Sequence, residues 1–273
     1  THVRGDDGTW DARSVRQPDA QTPAGGVSST VADLSQWMRL QLANGTVDGV
    51  ELIDGAALDL THTPHGLSGG LGSPESRVGS YGLGFNLGTD GGGRQRWSHS
   101  GAFALGAGTS LTMMPAERLG VVVLTNGEPT GVAESMVETF LDLVFEGEPT
   151  RDWMGLYGPM FQQMLHPEVE VDHSVAPEGA APARELSEYV GTYDNDLYGP
   201  FEITVAGGEL SLGIGPNGDQ LTLSHHDGDT FAMNPVGENA TGSTAVIFDL
   251  DVAAPTVRVE YLDEQGLGTF VRA

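Results

Sequence analysis

Residues 94–126 read RQRWSHSGAFALGAGTSLTMMPAERLGVVVLTN, and in their middle His99, Ser100 and Gly101 set an imidazole, a hydroxyl and a bare backbone among apolar runs. A site carried on a sheet places its polar groups in such a spot, and a histidine there changes charge near pH 6–7. The competing reading is a strand end that needs small polar residues. Other chemically capable residues sit in weaker settings. GLSGG (66–70) matches the Gly-x-Ser-x-Gly pattern of a nucleophile elbow around Ser68, but that pattern needs an apolar strand before it and a helix after it. Here THTPH precedes and LGSPESRVGS comes after, so a loop is predicted. His62 with His65, and His225 with His226 and Asp227, are metal-ligand types without a second cluster at a zinc spacing. Gly91–Gly93 lacks the Gly-Lys-Ser/Thr of a phosphate loop and reads as a turn. No metal or cofactor is predicted. The chain has no Cys, hence no thiolate chemistry, and all 12 of its basic residues are Arg.

The elements that must position these groups follow from periodicity. In SSTVADLSQWMRLQLANG (28–45), Thr30 and Asp33 form a capping signature, Val31, Leu34, Met38 and Leu42 recur at helical spacing, and Gly45 supplies a stop. A shorter helix is predicted from Asp54 to before Pro64, followed by a Gly/Ser-rich loop over 65–80. Strands are predicted at 81–88, 94–100, 106–114 and 119–126, the last two as an antiparallel hairpin around PAER. A second long helix is predicted over 130–147, with Val132, Met136, Phe140 and Val144 on one face and Val137 and Leu141 alongside. Helices on either side of a strand meander suggest a layered α+β domain over 1–147. Residues 148–183 read as a linker with one short amphipathic stretch near Trp153–Leu165. From 184 to 273 about eight short alternating strands suggest a small closed barrel. Within it, Tyr193, Tyr198, Phe231 and Phe248 either line a cavity or, as in most barrels this short, fill the interior.

Taken together, PAGGVSSTVADLSQWMRLQLANG, YGLGF and HSGAFALGAGTSLTMMPAERLGVVVLTN resemble the C-terminal half of serine β-lactamase-like hydrolases. That group includes class C β-lactamases, penicillin-binding-protein-like D-amino peptidases and related esterases. The stretches LSEYVGTYDNDLYGPFEITVAGGELSLGIG, LTLSHHDGDTFAM and FVRA resemble the lipocalin-like barrel appended to such hydrolases. The resemblance implies a partial β-lactamase/transpeptidase-like domain, an antiparallel sheet flanked by helices, followed by an eight-stranded barrel. It implies acyl-enzyme chemistry on amide, ester or β-lactam bonds of a small-molecule or peptide substrate. On it, His99, Ser100 and Gly101 match the family's Lys-Thr-Gly or His-x-Gly triplet. His99 then offers a donor to the substrate or a catalytic Tyr, Ser100 bonds a substrate carboxylate or carbonyl, and Gly101 leaves room beside the strand. The backbone N–H of Ala102 becomes one of two oxyanion-hole donors.

The family's nucleophile lies in Ser-x-x-Lys, and a chain without Lys does not contain it. No convincing Tyr-x-Asn is present either: YDN at 193–195 falls in the barrel, and Tyr81 opens a core pattern. The expectation is therefore the C-terminal piece of a hydrolase, inactive alone, with its N-terminal half elsewhere. The competing class is a non-catalytic binding protein that uses the barrel on this scaffold. A formal charge of −26, from 38 acidic and 12 basic residues, argues against nucleic acid and anionic membrane surfaces as partners. Abundant carboxylates without Lys suggest a salt-adapted source, and the family resemblance leans towards export. No apolar run approaches the ~20 residues that cross a bilayer.

Overall fold

Thr30 starts the first long helix in the way its spacing to Asp33 predicts. Its hydroxyl accepts from the Asp33 backbone N–H at 3.1 Å and donates to the Asp33 carboxylate at 2.9 Å, giving the N-terminus of α1 (Val31–Leu42) a reciprocal cap. The helix stops where Asn44 and Gly45 turn left-handed and the Gly45 N–H returns to the Leu40 carbonyl. Gly45 is required there: at φ 88° a Cβ would lie 2.0 Å from the Ile53 carbonyl oxygen. Asp54 then caps α2 (Gly55–Thr61) by accepting from the Ala56 N–H.

In this computed structural model, residues 1–273 are described apart from 6, 13–14, 16–17, 69–76, 166–172, 216–217 and 237–241. Parts of the predicted 65–80 loop and of the predicted linker therefore lie outside the described residues. Two units are present, Thr1–Leu165 and His166–Ala273.

In the first unit a six-stranded antiparallel sheet runs in sequence order: β1 (Gly66–Leu67), β2 (Ser80–Tyr81), β3 (Asn86–Thr89), β4 (Gln95–Phe103), β5 (Ala107–Met114) and β6 (Leu119–Thr125). The single strand predicted over 81–88 is instead two short ones. Gly84 takes φ 88° and Gly82 donates to the Phe85 carbonyl, so the chain reverses inside YGLGF. The β5–β6 hairpin forms as predicted, with Leu119 opposite Met114.

Helices cover both faces. On one face Met38 of α1 packs with Phe85, Leu87 and Met113. On the other lies α3 (Val132–Phe145), which buries Ala133, Val137 and Leu141 against Met114 and its neighbours on β6. The face predicted for α3 is therefore displaced. Met136 is 55% and Phe140 38% exposed, with Val132 and Val144 beside them. Apolar residues surround most of this helix, so spacing alone does not select a face; small Ala133 and Ser135 mark the side that meets the sheet. Helix α4 (Trp153–Leu165) comes next. Asp142 of α3 ties its start, accepting from the Thr150 N–H, the Thr150 hydroxyl and the Trp153 indole at 2.7, 2.8 and 2.7 Å. Burial alone would raise the Asp142 carboxyl, and these bonds outweigh it, holding the group below the usual carboxylate range.

The second unit is a closed up-and-down barrel of eight antiparallel strands, β7 (Gly191–Asp194), β8 (Phe201–Ala206), β9 (Glu209–Ile214), β10 (Asp219–Asp227), β11 (Thr230–Met233), β12 (Thr244–Asp249), β13 (Thr256–Val259) and β14 (Thr269–Arg272). Closure comes from β14 pairing with β7, Tyr193 opposite Arg272. Inward residues fill the axis: Tyr193, Phe201, Leu212, Phe231, Phe248 and Phe270 are all buried, whereas Tyr198 is 44% exposed. The fill is aromatic edge-to-face packing, with Tyr189 and Phe231 centroids 5.0 Å apart. Just ahead of β7, the Tyr189 hydroxyl donates to Asp229 at 2.6 Å, and Arg184 bridges Asp229 and Asp251. Burial and that bond push the Tyr189 phenol up to about 12.

Candidate active site

The two edges of β4 are unequally covered. β5 pairs with it from Trp97 to Phe103, whereas β3 pairs only from Gln95 to Ser98. Past Ser98, the edge of His99–Ala102 away from β5 is thus left without a ladder partner among the described strands. His99, Ser100, Gly101 and Ala102 all lie on this open half. A strand edge of this kind presents backbone donors and acceptors to any extended chain laid beside it.

Side chains alternate between the two faces of β4. Trp97 faces α1 and stacks on His62, ring centroids 3.6 Å apart and 5° from parallel. Burial lowers the His62 pKa, with Asp59 opposing weakly. His99, on the same face but exposed, lies with its ring 6.4 Å from that of Tyr81 in an edge-on arrangement. On the other face Arg96 donates to Glu138 of α3 at 2.5 Å and to Thr112 at 3.1 Å, and Ser100 donates its hydroxyl proton to Glu134, one turn earlier on α3. Gly101 has its own constraint: a Cβ there would lie 2.8 Å from the Thr109 hydroxyl. Tyr157 of α4 lies near this acidic row. Burial, with Glu138 next in weight, pushes its phenol up, so it does not serve as a base near neutral pH.

The structure keeps the other sequence candidates apart from this site. Gly66 and Leu67 pair with β2, and the Ser68 N–H continues the hairpin to the Gly79 carbonyl, so Ser68 heads no elbow; Gly69 and Gly70 lie outside the described residues. His65 bonds the Leu60 carbonyl and His225 the Gly228 carbonyl. Tyr193 of YDN is a barrel core residue, and Asn195 holds a turn by accepting from the Leu197 and Tyr198 N–H groups. Among the described residues no group of three or more His, Asp or Glu is placed to hold a metal ion. Glu134, Glu138 and Arg96 were not singled out by sequence. The i, i+4 spacing of the glutamates and the same-face spacing of Arg96 and Ser100 were the available signals.

The sequence model of the family described as Beta-lactamase matches residues 1–144, more than half of the chain. The chain belongs to the beta-lactamase family. A second model, described as a domain of unknown function (DUF3471), matches residues 175–264, within the barrel unit. Beyond the beta-lactamase match, the chain is similar to a solved structure described as the C-terminal domain of penicillin binding protein Rv0907, at 39% identity over 36% of this chain and 93% of that one, TM-score 0.33. It is also similar to the octameric penicillin-binding protein homologue from Pyrococcus abyssi, at 15% identity over 99% of this chain, TM-score 0.38. It spans 52% of the length of that homologue's chain. No curated protein matches it. His99, Ser100 and Gly101, which the sequence resemblance matches to the family's triplet, lie on this open half of β4.

Proposed function

We propose that this chain is the substrate-side portion of a serine hydrolase that transfers acyl groups from amide, ester or β-lactam carbonyls. The observation that carries the reading is that His99–Ala102 lie on the stretch of β4 whose outer edge has no ladder partner among the described strands. There a substrate lies along the strand edge, beside Gly101. The Ala102 N–H is one oxyanion donor, aimed where negative charge develops in the tetrahedral intermediate. His99 supplies a donor at the mouth, and Ser100 contacts the substrate from the α3 side.

The nucleophile and its Lys come from a segment that precedes this one. The absence of any Lys here requires it on this reading, and two further observations support it. Among the described strands β6 pairs only with β5, with His2 bridging Gly127 just past its end, and Met136, Phe140, Leu143 and Met160 of α3 and α4 stand 55, 38, 51 and 56% exposed, an apolar surface suited to cover by more protein. Alone, the chain is inactive, because oxyanion binding without a nucleophile gives little rate. The net charge of −26 without any Lys supports a salt-adapted source, and the family resemblance supports export. The barrel's filled interior weighs against a binding module built around a ligand inside it.

The test is hydrolysis of nitrocefin and p-nitrophenyl acetate, first by this chain and then by the chain joined to its upstream coding sequence. We expect no turnover of either probe by the chain alone, and turnover of p-nitrophenyl acetate by the joined protein if the upstream frame encodes Ser-x-x-Lys. Turnover by the chain alone, abolished by Ser68→Ala, overturns the reading.

A further inference from the structure

The geometry points to Glu134 as a specificity-determining residue that makes the α3 side of the β4 edge select substrates carrying an N–H or ammonium donor and reject those carrying a carboxylate. This rests on the reading that the open edge takes the substrate, and it names the substrate class.

The argument begins with the proton of Ser100. A serine hydroxyl has one proton to give and two lone pairs to receive with. In this chain that proton goes to the Glu134 carboxylate, a charge-assisted bond stronger than one to a neutral acceptor. What remains on Ser100 is acceptor only, and a carboxylate is acceptor only as well. A ligand arriving at Ser100 therefore meets a pair of acceptors. A substrate amide N–H or an amine satisfies them. A substrate carboxylate finds no donor, and would have to take the Ser100 proton from Glu134 while lying beside its charge.

The neighbouring charges reinforce this. The nearest cation on the same face of β4, Arg96, is held by Glu138 at 2.5 Å and by Thr112. Glu134 forms no ion pair with any Arg or His among the described residues. From the α4 side, burial pushes the Tyr157 phenol up and keeps it neutral, while the Arg151 guanidinium that also acts on that phenol lies over the Trp153 ring, 5.0 Å from its centroid. The local charge at Ser100 is thus one uncompensated carboxylate, on a chain whose formal charge is already −26. A cation steered to that patch gains from both the local bond and the wider field.

The test is an NMR titration of the intact chain at low ionic strength, where the Debye length is long enough for the charge to be felt. Three probes share the acetyl-D-alanyl body and end in a carboxylate (acetyl-D-alanyl-D-alanine), an amide (acetyl-D-alanyl-D-alaninamide) or an ammonium (acetyl-D-alanyl-2-aminoethylamide). Amide shifts at 99–103 report where each binds. We expect the ammonium probe to bind about tenfold more tightly than the carboxylate probe, the difference between a charge-assisted bond and a repelled one. Glu134→Gln, which keeps an oxygen for Ser100 to donate to, should bring that ratio close to one. Ser100→Ala should weaken the amide and ammonium probes and spare the carboxylate probe. Shifts at 99–103 with an unchanged ratio in Glu134→Gln overturn the role of Glu134 and leave the edge as a binding site. No shift at 99–103 with any probe, in either protein, overturns the edge reading and this inference with it.

Discussion

The Arg96–Glu138 pair is the lever on which the placement of α3 against β4 can be tested. Their side chains are 23% and 12% exposed and meet at 2.5 Å, and Arg96 also donates to Thr112. An exposed ion pair contributes about 1 kcal/mol or less, while removing one partner of a buried pair costs about 3–5 kcal/mol, because the other charge is left desolvated and alone. This pair lies nearer the buried limit, so Arg96→Met is expected to destabilise the first unit by about 2–3 kcal/mol. Glu138→Leu alone should cost less, since Arg96 can still reach Thr112 and solvent. The double variant should recover a coupling of at least about 1 kcal/mol, as neighbours in one network do. Urea unfolding followed by tryptophan fluorescence reads this cleanly. Trp10, Trp37, Trp97 and Trp153 are the chain's 4 tryptophans and all lie in the first unit. With a slope of about 2 kcal/mol per M, the Arg96→Met midpoint should fall by roughly 1 M. A fall below about 0.3 M, or single-variant effects that simply add, would refute the claim that this pair anchors helix to strand.

Two further outcomes rest on the packing. His62, whose pKa is lowered by burial against Trp97, is held neutral in the fold; its contribution is fully present above the unfolded value of about 6.5 and is lost as pH falls from there towards the lowered folded value. His62→Gln should therefore flatten the stability of the first unit as pH falls below about 6.5, and an unaltered slope in pH-dependent urea midpoints would count against it. In the barrel, Phe231 is 2% exposed and packs edge-on against Tyr189 and Phe248, so Phe231→Ala should cost about 3–5 kcal/mol. Near-UV circular dichroism of the tyrosines measures this; a loss under about 1 kcal/mol would mean an interior able to collapse around the gap.

What the sequence made legible was whatever depends on neighbours a few residues apart. The Thr30–Asp33 cap, the Asp54 helix start and all eight barrel strands were readable because capping and alternation act over two to four positions. The triplet's strand was readable too, but not that β3 leaves its edge after Ser98, since the length of a ladder depends on a strand the pattern had merged with its predecessor. The buried face of α3 was misread because Met136 and Phe140 are as apolar as Val137 and Leu141, and only contact with the sheet separates them. The bond from Ser100 to Glu134 spans 34 residues and leaves no local signature.

The pairing of β14 with β7 has a consequence for how such a chain is assembled over generations. Tyr193 faces Arg272, and the Ala273 N–H bonds the Thr192 carbonyl, so the barrel is entered and left at adjoining strands. A module with that property can be gained, lost or rejoined through a single seam, with no strand elsewhere asked to find a new partner.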